Sequence, residues 1–163
     1  MRRIWFVVST LLLAGCAYTF NPSSIPGHIR TLEIPVADNQ TLEVVLAEEM
    51  TNALSTRFVN DNTLQVVQSD ADAVLECSII GYQNRVFTFD ETQTAKKYVV
   101  VLTVDMTLRD RVKGKEIWDE EGVTGTATYA LDDLEGVTTE EEARVLAIKQ
   151  IVDEALAKTV EGW

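Results

Sequence analysis

The hydrophobic and polar positions of the chain repeat with two periods, which predict two helices and a set of strands. Apolar residues recur at helical spacing over residues 42–58 and again over residues 139–163. Alternation typical of half-buried strands marks residues 29–36, 73–82 and 98–109. An apolar run at residues 86–89 predicts that the strand at 73–82 continues beyond Gly81. Two more runs, at residues 64–68 and 117–129, predict two further strands.

The same pattern predicts which side chains face the core. The cleanest row is expected to point inward from the strand at 98–109: Tyr98, Val100, Leu102, Val104, Met106 and Leu108. The first strand and the first helix are expected to bury Leu32, Ile34 and Val36, and Leu42, Val45, Leu46, Met50, Ala53 and Leu54. The last helix is expected to bury Val145, Ile148, Val152, Ala155 and Leu156.

The order of these elements predicts an α+β fold, strand–helix–strand followed by a strand meander and a final helix (β-α-β-β-β-β-α). A strand–helix–strand unit is a right-handed crossover, so the first two strands should be parallel. We therefore expect a two-layer α/β sandwich, with two amphipathic helices on one face of a four- to five-stranded mixed sheet. Thr139 and Glu142 form a capping box at the start of the last helix.

The N-terminus has the pattern of a secretory signal. Arg2 and Arg3 precede an apolar run of about ten residues, about half of what a membrane span needs. The run ends in Leu13-Ala14-Gly15-Cys16, which looks like a bacterial lipobox and implies a lipidated Cys16 at the start of the mature protein. The alternative is an ordinary signal peptide with a chance cysteine.

This signal divides the chain into three parts. Residues 1–15 are a lipoprotein signal peptide, residues 16–28 a lipidated N-terminus and tether, and residues 29–163 a single domain. Two acyl chains or more give stable anchoring, so the domain should stay attached to a bilayer. Ala17 follows Cys16; by analogy with bacterial lipoproteins, in many of which an Asp there retains the protein at the inner membrane, this favours the outer membrane.

Charge and composition exclude several function classes. The net charge of −12 is wrong for a nucleic-acid binder, whose affinity comes largely from phosphate neutralisation. One histidine, His28, and one cysteine beyond the lipobox, Cys77, cannot form a metal cluster of common spacing. His28 is expected to be exposed and Cys77 to be a small buried apolar residue, the alternative for Cys77 being a reactive thiol. The sequence therefore predicts no enzyme, no metal and no cofactor.

Several stretches, in order, resemble the lipopolysaccharide-assembly lipoprotein family LptE. These stretches are Cys16-Ala17-Tyr18, residues 29–36 with Asp38-Asn39-Gln40-Thr41, residues 49–54, residues 71–76, residues 102–110, residues 114–118 and Val160-Glu161-Gly162-Trp163. The resemblance implies a non-enzymatic, outer-membrane lipoprotein on the periplasmic or barrel-lumen side. Such a protein plugs the LptD β-barrel, assists its assembly and helps to deliver lipopolysaccharide to the cell surface.

Basic residues near the tip of the long hairpin are linked to lipopolysaccharide binding in this family. Here the tip reads Asp90-Glu91-Thr92-Gln93, and the loop before the last helix is also acidic, with Asp132, Asp133 and Glu135. The nearest cations are the candidate lipopolysaccharide-binding residues: Arg85, Lys96 and Lys97.

The same end of the sheet is apolar in both alternation sets, which predicts a contact surface for the barrel. The partner-contact candidates are Phe87, Phe89, Val99 and Val101. Twisted strands, or tether residues folded over them, are the alternative explanation for this apolar surface. Two other function classes stay open: a lipoprotein scaffold or binding module of another envelope complex, and a lipoprotein enzyme.

Overall fold

The computed structural model describes residues 25–89, 91, 95–130 and 136–161, so the predicted lipobox lies outside the described residues. Six strands and two helices follow one another along the chain: β1 (Thr31–Glu33), β2 (Asp38–Asn39), α1 (Leu46–Asp61), β3 (Gln65–Val67), β4 (Ala73–Phe89), β5 (Ala95–Asp110), β6 (Lys115–Tyr129) and α2 (Glu140–Glu161). The predicted α+β class is confirmed, although the sheet has six strands where four or five were expected.

The strands form one mixed sheet in the order β3-β1-β4-β5-β6, with β2 also pairing with β4. Strand β1 is parallel to both β3 and the start of β4, as the crossover rule predicts, while β4, β5 and β6 form an antiparallel meander. The extra strand arises because the single strand predicted at 29–36 ends at Glu33. The chain pairs again only at Asp38, after Pro35, which cannot donate a ladder hydrogen bond.

The core lies between the helices and one face of the sheet. The predicted inward row of β5 is confirmed: Val100, Leu102, Val104, Met106 and Leu108 are buried, and Tyr98 is half-buried. Their neighbours on β4 are Leu75, Cys77 and Ile79, which are also buried. The two helices cover this face with residues such as Leu46, Met50, Phe58, Ile148, Ile151 and Leu156.

The two helices lie side by side and are joined by two ion pairs. Arg144 binds Glu49 through two hydrogen bonds of 2.6 and 2.8 Å, and Arg57 lies 2.7 Å from Asp153. From the first pair to the second, the residue number rises by eight on α1 and by nine on α2. The two helices therefore run parallel. The hydrogen bond with Glu49 raises the pKa of the Arg144 guanidinium above its usual value, which keeps this pair charged.

Four side chains predicted to be in the core are exposed instead, and one of them is Val45, which precedes the first residue of α1. Val36 is exposed because β1 has ended before it, and Val145 lies at the margin of the face that α2 buries. Leu42 is also fully exposed, because α1 begins at Leu46 and the preceding residues form a loop. The small residues Ala143 and Ala147 bring α2 close to the sheet and are fully buried.

The sequence predicted an exposed His28, but the residue is half-buried. Its Nε2 atom lies 2.8 Å from Oδ2 of Asp110, a buried carboxylate at the end of β5. Ile25 and Ile29 flank this contact in sequence and are both buried in the core. The segment that leads into β1 therefore packs against the domain from Ile25 onward.

The predicted start of α2 and two glycine irregularities are visible in the backbone. The capping box is present: Glu142 N donates to Thr139 Oγ1 at 3.1 Å, and Thr139 N donates back to Glu142 Oε2 at 3.2 Å. Gly81 marks a register shift in β4, and Gly122, with a φ of 70°, marks one in the pairing of β5 with β6.

Candidate partner-binding surface

The hairpin formed by β4 and β5 carries most of the predicted site residues. Its two strands pair from Ala73 with Asp110 at one end to Phe89 with Ala95 at the other. Most of β4 beyond Tyr82 is exposed, because the burial that the helices provide over its first half is lost there. The hairpin thus ends in two side chains that are more than half exposed, Phe87 at 56% and Phe89 at 58%.

The two valine candidates are less accessible than the two phenylalanines. Val99 pairs with Arg85 on β4 and Thr128 on β6, and it is only 7% exposed. Val101 is half-buried in the same row. Neighbouring strands flank both valines, so a partner would contact mainly Phe87 and Phe89. Val99 and Val101 would form the floor between the phenylalanines and β6.

Four of the candidates line one groove. Arg85, Phe87, Val99 and Val101 form its floor on the helix-free face of the sheet, and the groove passes around the edge of β6 to α2. It has a volume of about 820 Å³. The helix side is lined by side chains that the sequence did not single out: Leu146, Lys149 and Gln150. Lys149 and Gln150 follow Leu146 by three and four residues, which places them beside Leu146 on the surface of α2. This helical spacing was the signal available in the sequence.

The edge of β6 inside this groove is closed by a side chain. Thr126 N donates to Gln150 Oε1 at 2.9 Å, and Gln150 Nε2 donates to Thr126 O at 2.8 Å. The Gln150 amide therefore satisfies both outward backbone groups of Thr126, as a neighbouring strand would. A partner strand cannot add to the sheet at this residue without displacing Gln150.

The cation on the helix side of the groove is already paired. Lys149 Nζ lies 2.6 Å from Asp153 Oδ2, and Arg57 occupies the other oxygen of that carboxylate. The hydrogen bonds from Lys149 and Arg57 lower the pKa of Asp153 below its usual value. The shared carboxylate neutralises part of the positive charge on this side.

The candidate lipopolysaccharide-binding cations all lie towards the apolar end of the hairpin. Arg85 lines the groove, whereas Lys96 and Lys97 do not line it. Lys97 pairs across the hairpin with Thr88. The side chains of Arg85, Lys96 and Lys97 are all exposed. Because Val99 lies opposite Arg85 and two residues from Lys97, these two cations are diagonal neighbours on one face of the hairpin, and Lys96 alternates to the other face.

A group of polar and aromatic side chains lies beside the apolar end of the hairpin. The Tyr98 and Tyr129 rings stack with centroids 5.1 Å apart, and Asn84 Nδ2 donates to the Tyr129 hydroxyl at 2.9 Å. Tyr82 donates to Glu140 Oε1 at 2.6 Å, which ties β4 to the start of α2. Burial, and then this hydrogen bond, raise the pKa of the Tyr82 phenol, so it remains a donor.

The Cys77 thiol is buried, as the sequence predicted. Burial, with a smaller effect of the Asp105 charge, raises the pKa of this thiol to about 12. Among the described residues, no three histidine, cysteine or acidic side chains lie close enough to hold a metal ion. None of the helices in the described ranges is long and apolar enough to span a bilayer.

Solved structures of low sequence identity share this fold. Lipoprotein B from Nitrosomonas europaea has a TM-score of 0.56 at 16% identity, over 88% of this chain and 89% of that one. The protein CT253 from Chlamydia trachomatis has a TM-score of 0.55 at 13% identity, over 80% and 95% of the two chains. A PelC dodecamer from Paraburkholderia phytofirmans has a TM-score of 0.52 at 14% identity, over 80% and 91%.

Comparison at the level of sequence gives the family. None of the curated proteins compared with the chain matches it. The family model described as LptE, lipopolysaccharide-assembly, matches residues 29–159, which include every strand and nearly all of α2. The resemblance found in the sequence is thereby confirmed, and the chain belongs to the LptE family of lipopolysaccharide-assembly lipoproteins.

Proposed function

We propose that the protein is an outer-membrane lipoprotein, anchored through acylated Cys16, that assists the assembly of an LptD-like β-barrel and plugs it during lipopolysaccharide transport. The barrel is its main partner, and outer-membrane lipid is bound through the acyl chains. The domain faces the periplasm or the barrel lumen. No catalytic step is part of this function.

The observation that carries the proposal is the exposed aromatic end of the long hairpin. Phe87 and Phe89 keep more than half of their surface in solvent at the end of two paired strands. Large aromatic side chains exposed together are typical of interaction sites, where burying them contributes strongly to binding. The stacked rings of Tyr98 and Tyr129 lie next to this end and support it.

The charge of the rest of the molecule is compatible with an aqueous lumen. The sequence carries 26 acidic and 14 basic residues. The interiors of outer-membrane barrels are polar, so a strongly charged plug stays hydrated there except where it makes specific contacts. The apolar hairpin end provides such a contact, and the acidic remainder faces water.

Lipopolysaccharide is a further candidate ligand at the same end. Its phosphate groups would pair with the cations Arg85, Lys96 and Lys97, and its acyl chains would meet Phe87 and the valine floor of the groove. All three side chains are exposed, so each ion pair with a phosphate is expected to contribute only modestly.

Site-specific photocrosslinking in intact cells tests the plug function. A photoreactive amino acid at position 87 or 89 should give an adduct with a large outer-membrane barrel. Position 154 on α2 is the matched control, since Glu154 is exposed and far from the hairpin in sequence. Adducts from position 154 with none from 87 or 89 would reverse the proposed orientation. The absence of a barrel adduct from every position would favour the scaffold of another envelope complex.

A further inference from the structure

The loop between β2 and α1 carries the most exposed aliphatic side chains of the described chain. We call residues 40–45 the Leu42 spur. Leu42 is fully exposed, at 101%, and Val44 is 83% exposed. Neither side chain packs on the domain, so their identity contributes nothing to the core. Both side chains are therefore available for contact with a second surface.

The spur is a built structure and not a loose connection. Asn39 Oδ1 accepts hydrogen bonds from Thr41 N at 3.0 Å and Thr41 Oγ1 at 2.7 Å, and Asn39 Nδ2 donates to Glu43 O at 2.8 Å. Gln40 N donates to Ile79 O, which fixes the start of the spur to β4. One asparagine thus organises the loop from both sides.

This order matters because a preorganised loop loses little conformational entropy when it binds. The segment before the spur is also fixed, since Ala37 N donates to Thr51 Oγ1 on α1 at 2.9 Å. The structure therefore presents two aliphatic side chains on a braced support, which is the arrangement expected of a contact element.

Charge and position favour a protein over a lipid surface as the occupant. Glu43 lies within the spur, Asp38 and Glu48 flank it in sequence, and an anionic membrane surface would repel these three carboxylates. Strand β1, through which the described chain enters the sheet, meets the first residue of β4, where Leu32 pairs with Ala73. The spur follows Asn39, which pairs with Ile79, about 20 Å further along the strand.

We propose that the Leu42 spur is a second docking element, whose Leu42 and Val44 side chains enter an apolar pocket on the barrel partner. The rim of this pocket should carry cations or amide donors that complement the bordering carboxylates. The inference rests on the proposed function for the identity of the partner. It adds a contact separate from the hairpin end, on the β2 side of the sheet.

Substitution of the spur tests this directly, because its side chains are outside the core. The variant Leu42→Asp/Val44→Asp should fold normally but recover about ten- to a hundredfold less barrel when the lipidated protein is purified from solubilised outer membranes. Val112→Asp is the matched control, since Val112 is 64% exposed in the turn between β5 and β6. It should recover as much barrel as the unchanged protein.

A photoreactive amino acid at position 42 gives a second readout that needs no destabilising charge. It should yield a barrel adduct, and position 112 should not. Equal barrel recovery by the spur variant and the unchanged protein, with no adduct from position 42, would overturn the spur proposal and leave the plug function intact.

Two other results would also overturn it. If the unchanged protein recovers no barrel at all, the plug function fails and the spur proposal fails with it. If the Cys16→Ser protein binds phosphatidylglycerol vesicles and the spur variant abolishes that binding, the spur contacts lipid and not protein.

Discussion

Gly125 on β6 lies so close to the Ala147 carbonyl oxygen of α2 that a Cβ atom on this glycine would overlap it. Ala147 is itself fully buried, so both partners of the contact are small. This approach lets the first half of α2 lie directly on the sheet, beside the groove that Leu146, Lys149 and Gln150 line. The position of the groove therefore depends on a residue without a side chain.

Gly125→Ala should destabilise the protein by about 1–3 kcal/mol, because the obstacle is helix backbone that cannot rotate away. Gly81→Ala is the control, since a Cβ there meets Thr103 only at 3.5 Å, an ordinary contact. Urea denaturation of both variants measures the difference in free energy of unfolding. Equal losses would show that α2 shifts without cost.

Gln150→Ala should open the sheet edge at Thr126. Two hydrogen bonds to the backbone are lost, at a cost of about 0.5–1.5 kcal/mol each, and the freed groups become available to another strand. We expect a concentration-dependent dimer in sedimentation experiments. Glu154→Ala, one turn further along α2 and exposed, should stay monomeric. A monomeric Gln150→Ala protein would mean that water alone satisfies this edge.

Leu102→Ala should cost about 2–5 kcal/mol of stability, since this side chain is fully buried in the central row of β5. Thr103→Ala, one residue along and on the opposite face, should cost much less because Thr103 is only half-buried. Thermal and urea unfolding of the two variants measure the contrast. Similar losses would contradict the assignment of faces.

The anchor can be tested independently of the fold. Cys16→Ser should release the protein from the outer-membrane fraction or leave an uncleaved precursor, because no thiol remains to be acylated. Mass spectrometry of the unchanged protein should show a mature start at Cys16 with two or three acyl chains. A mature start elsewhere, with an unmodified Cys16, would rule out the lipoprotein prediction.

Local patterns predicted the parts of the fold that depend on neighbouring residues. Alternation placed the row from Val100 to Leu108 inside, and the capping box of Thr139 and Glu142 marked the start of α2. Helical spacing alone, however, carried α1 back to Leu42. The Asn39 hydrogen bonds hold that segment in a loop instead, which spacing cannot show.

The features that the sequence did not show depend on residues far apart along the chain. Val99 is buried by neighbouring strands on both sides, so its position in an apolar run overstated its exposure. The pairing of Gln150 with Thr126 and the contact of Gly125 with Ala147 require α2 to lie on β6. A lone glutamine or glycine carries no signal of such contacts, whereas the apolar hairpin end was visible as Phe87 and Phe89.

The last prediction concerns Asp72, which holds the start of β1. Its Oδ2 atom accepts hydrogen bonds from Arg30 N at 2.9 Å, Thr31 N at 3.0 Å and Thr31 Oγ1 at 2.9 Å. The bond from the Arg30 backbone is the main reason that the pKa of this carboxyl lies below its usual value. Folding therefore favours the charged form, and Asp72 contributes stability whenever it is ionised.

This contribution should be fully present above the pKa of Asp72 in the unfolded chain and should be lost as the pH falls through the lower pKa of the folded state. Asp72→Asn should lower the urea midpoint at pH 7 and reduce its dependence on pH below about 4, near the usual aspartate value. Asp70→Asn is the matched control, because Asp70 is exposed two residues away. If the Asp72→Asn protein loses stability with acid as steeply as the unchanged protein, other carboxylates determine the acid response. An unchanged midpoint at pH 7 would instead show that the three hydrogen bonds to Asp72 do not stabilise the start of β1.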